Sequence, residues 1–313
     1  MISTQRLTRR FGSFTAVDSL TLQVPPGEVF GFLGPNGAGK TTVMRMLAAL
    51  IAPTEGEAQV AGLDVRKHGQ EIRQRVGILT ESPGLYRKLS PLANLRFYAR
   101  LYGLGAAEAD ARARAMLDLL QMESHQDKPV GQFSKGMTQK IAIARALIHD
   151  PQLVFLDEPT SGLDPEASYL VREFIAGLKA QGKTVFLCTH RLEEAERLCD
   201  RVAVFRRKIL AVDTPQGLRR GRFGSRTLIE LARRDEGLVL AAKRLPFVTS
   251  ALWQAGGPSD PPTLAITLGD PRAQNPALIR ALVEHGAEIR FVREEQASLE
   301  QAYLSLTGSL KLD

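Results

Sequence analysis

The chain is poor in several features that would settle its class at once. It has two cysteines, Cys188 and Cys199, in 313 residues, which fit no disulfide framework and no metal-ligand spacing. Aromatic residues make up 6% of the chain, with a single tryptophan, so a base-stacking platform for nucleic acid is poorly supplied. No apolar run approaches the ~20 residues that a membrane-crossing helix needs. The opening MISTQRLTRRF has no apolar signal core, which points to a cytoplasmic protein. No Asn-Lys-x-Asp segment for reading guanine occurs. No heptad pattern is sustained between Lys40 and Asp157, which argues against a long inserted coiled coil.

The remaining composition, 44% hydrophobic and 24% charged, is that of an ordinary globular protein, long enough for one large domain and a smaller one. The net charge of +7 is unevenly spread, with ten Lys or Arg between Arg201 and Arg234 against only Asp213 and Glu230. Phe205 and Phe223 are the only aromatics in that run. It reads either as a solvated linker face or as a surface for RNA, anionic lipid or an acidic partner.

The most informative stretch is GPNGAGKTT, Gly34 to Thr42. A short apolar run, Val29 to Leu33, precedes it and reads as a buried strand; Val43 to Leu50 follows and reads as a helix. In that context Gly-x-x-x-x-Gly-Lys-Thr is a phosphate cradle. Gly37 and Gly39 let backbone amides curl round phosphate oxygens with no Cβ in the way. The new helix directs its free N–H groups at the same oxygens, Lys40 neutralises them, and the Thr41 hydroxyl is placed to ligate Mg²⁺.

The second chemical signal is Leu153-Val154-Phe155-Leu156-Asp157-Glu158-Pro159, an apolar strand that delivers two acids at its carboxyl end, where open α/β sheets bind ligands. Asp157 suits the cation that Thr41 would also touch, and Glu158 suits an attacking water. A further buried strand, Thr184 to Cys188, ends in Thr189-His190, which brings His190 to the same crevice. Cys188 reads as a small buried hydrophobe.

Elsewhere, Ile2 to Leu7 alternates weakly, and Leu20, Leu22 and Val24 lead through Pro25-Pro26-Gly27 into the cradle strand as an expected hairpin. Phe11, in a loop RRFGSF, either stacks on a purine or packs in the core. Thr54 to Glu57 reads as a turn before a short strand, Ala58 to Val60, and Val76 to Thr80 as another strand. Residues 91–149 carry helical spacing only, a helical block inserted in an α/β chain, whose last helix is capped by Ser134. Asp164-Pro165 opens a helix that runs to Ala180 and is stopped by Gly182. Beyond about residue 222, a strand Thr263 to Leu268, a helix Asn275 to Glu284 ended by Gly286, a strand Glu288 to Val292 and a closing SLEQAYLSLTG helix read as a small α+β appendage.

Together these segments resemble the nucleotide-binding subunit of ATP-binding cassette (ABC) transporters over about residues 2–220. GPNGAGKTT matches the Walker A loop, LVFLDEP the Walker B strand, SGLD (with Asp164) the D-loop and His190 the switch histidine. FSKGM stands where the signature LSGGQ belongs, and Phe11 takes the place of the adenine-stacking aromatic. The resemblance implies a P-loop ATPase core with a β-rich N-terminal part and a helical subdomain at about 84–150, followed by an accessory domain at 221–313. It implies that Phe11, Val17, Gly34, Pro35, Asn36, Gly37, Ala38, Gly39, Lys40, Thr41 and Thr42 bind ATP. It further implies a sandwich dimer, homo- or heteromeric, in which Ser134, Lys135, Gly136 and Met137 serve the partner's nucleotide. Two departures stand out: Lys135 and Met137 replace Gly and Gln in the signature, and Glu81 (ILTESPG) occupies the Q-loop glutamine position, where a carboxylate offers an oxygen to Mg²⁺ but adds charge. The TES-PGLY, FSKGM and DEPTSGLDP forms resemble the branch that serves drug or antibiotic efflux through separate integral-membrane subunits, which implies a protein peripheral to the membrane. The rival expectation is a cassette ATPase acting on ribosomes or nucleic acid, and no nucleic-acid partner is expected here, because those relatives carry two cassettes in one chain or a long coiled coil.

Overall fold

The computed structural model describes residues 1–223, 225–254, 260–295 and 298–308, without the side chains of 220–225. It divides into two units, Met1–Pro215 and Gln216–Asp313.

The first unit opens with β1 (Ile2–Phe11) and β2 (Phe14–Val24), an antiparallel pair turned at Gly12 and Ser13. Phe11 is thus the last residue of a strand rather than part of a loop. The expected hairpin between β2 and β3 (Val29–Leu33) does not form. All five residues of β3 are buried, and a strand with no solvated face belongs inside a parallel sheet covered on both sides. Pro25-Pro26-Gly27 therefore carries the chain from one sheet to another.

The helix after the cradle, α1 (Lys40–Leu47), begins earlier and ends earlier than its apolar spacing suggested. Ala49 adopts a left-handed φ of 52, and the Leu50 N–H reaches back to the Arg45 carbonyl at 2.8 Å, a helix stop made without glycine. Next come β4 (Glu55–Val60) and β5 (Leu63–Asp64), which complete an antiparallel sheet of order β2-β1-β4-β5. The expected turn at Glu55-Gly56-Glu57 is part of β4. Gly56 stands there because a Cβ would lie 2.2 Å from the Arg6 carbonyl oxygen of the irregular neighbouring strand, a close backbone approach that only glycine permits.

The chain continues through α2 (Gly69–Arg75), β6 (Val76–Leu79), α3 (Pro91–Leu101), α4 (Ala106–Leu119), α5 (Lys135–Leu147), β7 (Leu153–Asp157), α6 (Pro165–Ala180), β8 (Thr184–Thr189), α7 (Leu192–Leu198), β9 (Arg201–Arg206) and β10 (Lys208–Asp213). The central sheet has the order β10-β9-β3-β8-β7-β6; all its pairings are parallel except the edge strand β10. Phe30, Phe32, Phe155, Phe186 and Phe205 are fully buried, and the Phe32–Phe205 centroids are 4.5 Å apart. This aromatic core fixes the strand ends that carry the chemistry. Helices α3, α4 and α5 share a separate core that includes Leu95, Ala113, Ile141 and Ala144.

The second unit comprises most of α8 (Pro215–Phe223), then β11 (Ser225–Leu231), α9 (Glu236–Lys243), β12 (Val248–Trp253), β13 (Thr263–Leu268), α10 (Pro271–Glu284), β14 (Ile289–Glu295) and α11 (Leu299–Leu306). Its antiparallel sheet, β12-β13-β11-β14, shares a core with α9 and α10 through Ile229, Leu264, Ile266, Ala242 and Leu282. β11, α9 and β12 were not foreseen. β11 begins inside the basic run and β12 mixes Thr, Ser and apolar residues, so neither shows a clean period-two pattern.

Candidate active site

The parallel pairing of β3 with β8, and of β8 with β7, sets three strand ends side by side. From β3 issues the loop 34–39. A Cβ at Gly34 would lie 2.3 Å from the Phe205 carbonyl oxygen, and one at Gly39 2.4 Å from that of Ala16. Gly39 is left-handed at φ 103. The loop is therefore wedged between two backbones, and no side chain caps the α1 that follows it, which leaves the helix N–H groups for an anion.

A cleft of about 640 Å³ opens here, lined by Phe11, Phe14, Ala16, the loop from Pro35 to Thr42, Glu81, Asp157, Glu158, Ser161 and His190. Most of the nucleotide residues expected from the sequence meet in it. Val17 does not: it is fully buried in the core, and the cleft is lined instead by its neighbour Ala16. Gly34 lies buried behind the loop. Phe14 and Ser161 were missed. Phe14 is the cross-strand partner of Phe11, and that pairing becomes readable only once the turn is placed at Gly12-Ser13.

Inside the cleft the charges are closely coupled. Lys40, 5% exposed, donates from Nζ to the Gly34 carbonyl at 2.7 Å and the Pro35 carbonyl at 3.3 Å. The same Nζ lies 3.2 Å from Glu158 Oε1, an ion pair without a directed hydrogen bond. The other carboxylate oxygen of Glu158 is 2.8 Å from His190 Nδ1. Thr41 donates its hydroxyl to Asp157 Oδ2 at 2.7 Å. Burial raises the Asp157 pKa above the ordinary aspartate value; the Thr41 bond opposes this, Glu158 adds to it, Lys40 opposes it and Glu81 adds to it. Cys188 is fully buried, and that burial pushes its thiol well up, so it takes no part as a nucleophile.

These residues fit a divalent cation. A buried carboxylate beside a hydroxyl, its ionised form disfavoured by burial, is relieved by a hard cation with oxygen ligands. Among the described residues no cluster of three or more His, Cys, Asp or Glu could hold a metal by itself. A cation here would thus take its remaining ligands from phosphate and water, as Mg²⁺ does.

A glycine loop open to an anion, a buried lysine, the Thr41–Asp157 pair and the Glu158–His190 pair thus share one cleft. The ABC transporter family pattern matches residues 17–161. Nod factor export ATP-binding protein I of Burkholderia pseudomallei is 38% identical over the whole chain and 98% of its own length. The chain belongs to the ABC transporter ATP-binding family. A daunorubicin resistance ATP-binding protein of Streptomyces coeruleorubidus is 36% identical, covering 96% of the chain and 93% of that relative. Among solved structures, the dimeric form of a bacterial ABC transporter cassette superposes with a TM-score of 0.63 at 25% identity, over 68% of this chain and 98% of its own. The protein is accordingly an ABC ATPase, the ATP-binding and ATP-hydrolysing subunit of a transporter, and the ribosome-directed alternative gives way. Among the described residues no helix is long and apolar enough to cross a membrane.

The signature positions of this ABC cassette lie outside the cleft. Ser134 caps α5, accepting from the Met137 N–H at 3.2 Å. Lys135 lies across Gly162, and the Cβ of Ala167, at the start of α6, lies beside Gly136. Asp164 caps α6, accepting from the Ala167 N–H at 2.7 Å. Several members of the basic run have partners of their own. Arg201 chelates the buried Glu28 at 2.6 and 2.9 Å, Arg207 stacks on Phe14, Lys208 pairs with Asp18, Arg233 with Glu288 and Arg234 with Glu236. The side chains of Arg220, Arg222 and Phe223 lie outside the described residues.

Proposed function

We propose that this ATPase powers export of a drug, antibiotic or similar compound through separate integral-membrane permease subunits, peripheral to the cytoplasmic face of the membrane. The observation that carries the catalytic half is the Thr41–Asp157 hydrogen bond, which ties the phosphate loop to the twin-acid strand tip. In this reading the loop amides between Asn36 and Thr42 and the Lys40 ammonium hold the triphosphate, and Phe11 stacks on the base. Thr41 and Asp157, with Glu81 in the same cleft, would hold Mg²⁺, which would supply charge neutralisation for the phosphates. Glu158 orients and deprotonates the attacking water, and His190 donates to the γ-phosphate. Ser134 to Met137 and Asp164 lie outside their own cleft; in a sandwich dimer of two cassettes they complete the partner's site.

Docking to the permease is assigned to the segment after Glu81 and to α3. Tyr86, Phe97 and Leu101 are exposed there at 50%, 43% and 70%, and the Tyr86 and Phe97 rings meet edge to face at 5.1 Å. An exposed aromatic group beside a catalytic loop suits a partner helix. The export direction is supported by the names of the two full-length relatives, one for Nod factor export and one for daunorubicin resistance. Affinity purification from membranes tests the proposal: a co-purifying hydrophobic membrane protein that stimulates ATP turnover supports it, whereas ribosomes or RNA in its place refute it.

A further inference from the structure

Behind the Glu158–His190 pair lies a carboxylate that none of these steps uses. Glu194, in the first turn of α7, is 1% exposed. Its Oε1 accepts from the Thr160 hydroxyl, and its Oε2 accepts from the Thr189 hydroxyl at 3.0 Å. Thr160 stands two residues beyond Glu158, and Thr189 immediately precedes His190. Both hydroxyls also accept from Arg191, Thr160 from Nη1 at 3.0 Å and Thr189 from the backbone N–H at 3.0 Å. A hydroxyl carries one proton, so each gives its own to Glu194, and both carboxylate oxygens are needed as acceptors. Arg191 Nη1, 3.5 Å from Oε1, supplies the countercharge.

The segment so held is under strain. Glu158 has a left-handed φ of 49, a conformation that a non-glycine residue keeps only where its surroundings enforce it. Its N–H is fixed to the Cys188 carbonyl at 2.9 Å, and its carbonyl accepts from the Ser161 N–H at 3.0 Å. The Glu194 clamp grips Thr160 inside that same short turn. Removing a carboxylate from water is costly, and core packing alone would be served as well by an apolar residue. The value of an acid here is that it binds two hydroxyls on two different strand ends at once.

We infer that Glu194 is the positioning residue for Glu158 and His190, tying the segment after β7 to the end of β8 so that carboxylate and imidazole meet at their observed 2.8 Å. This rests on the catalytic reading of Glu158 and His190 given above.

The test uses the full chain with Glu194→Gln and Glu194→Ala. Gln keeps the shape but offers one acceptor in place of two. The expected result is a fall in kcat of roughly 10- to 100-fold, the loss that follows small misplacement of reacting groups. The KM for ATP and the stoichiometry of one nucleotide per chain should stay unchanged. Thr160→Val with Thr189→Val removes the same two bonds from the other side and should reproduce the loss if the Ala variant does not fold. A His190→Ala background then separates positioning from mere stability: if Glu194 acts through the pair, Glu194→Gln adds little to the loss already caused. Unchanged kcat in both Glu194 variants, or an undiminished cost in the His190→Ala background, overturns the positioning role alone. Wild-type turnover in Glu158→Gln and His190→Ala overturns the catalytic reading and this inference with it.

Discussion

Lys40 Nζ and Glu158 Oε1 stand 3.2 Å apart across the cleft, although one residue opens α1 and the other follows β7. The lysine also donates to two carbonyls of its own loop, those of Gly34 and Pro35. Through its other carboxylate oxygen Glu158 is also joined to His190 at 2.8 Å.

Replacing Glu158 by Gln tests its proposed role as the base. The amide still fits and still contacts His190, but it cannot take a proton from water. Turnover should fall by roughly 10²- to 10⁴-fold, the usual contribution of a general base. ATP binding should survive, because one negative charge has left the phosphate's surroundings. Phosphate release and nucleotide titration measure the two effects, and turnover near the wild-type rate removes Glu158 from the chemistry.

Asp157 gives a pH-dependent prediction whose sign is fixed. Its pKa is raised chiefly by burial, so folding favours its protonated form. Its contribution to stability is therefore present below the ordinary aspartate pKa and is lost as pH rises through the elevated folded value. Asp157→Asn removes that loss. The variant's melting temperature should gain on the wild type at neutral pH and lose the gain as pH falls toward 4. It should also abolish the extra stabilisation that Mg²⁺ gives to the ATP complex. Thermal scans across pH, with and without Mg²⁺, check both; a gain that is the same at every pH contradicts the assignment.

Much of this site was legible in the sequence because its residues lie within a few positions of glycines or at the ends of fully apolar strands. Lys40, Thr41, Asp157 and His190 are announced by their own segments. What escaped was set by pairing between distant segments. Phe14 joins Phe11 only through the β1–β2 turn, and Val17 proves to be core because Ala16 is the residue drawn against Gly39. The false hairpin had the same origin: alternation in β2 was read correctly, but nothing local says that the next strand enters another sheet. The β11–α9–β12 segment was unreadable for a further reason, since the basic run hid the start of β11 and the core formed by Ile229 and Leu264 becomes evident only once the strands are paired.

Glu81, where the family carries glutamine, adds a third carboxylate to the cleft wall, and its charge contributes to the raised pKa of Asp157. Glu81→Gln should lower that pKa and weaken the attraction for a divalent cation. The apparent Mg²⁺ requirement for turnover should rise by up to about tenfold, the order set by one partly screened unit charge. The acid limb of the pH–rate profile should move to lower pH. Both are read from steady-state rates in Mg²⁺ and pH series, and if neither moves, Glu81 does not act on the metal.

The last prediction concerns the second unit. The described residues that line the cleft belong to the unit Met1–Pro215. The second unit has a core of its own, in which Ile229, Leu264, Ile266, Leu278 and Leu282 are fully buried. A chain ending at Pro215 should therefore fold cooperatively and bind ATP with unchanged affinity, because it keeps the phosphate loop, the strand-end acids and Phe11. If calorimetric titration shows weakened ATP binding while the thermal transition stays sharp, residues beyond 215 contribute to the nucleotide site. Unchanged affinity with lost permease-stimulated turnover would place their role in assembly with the permease.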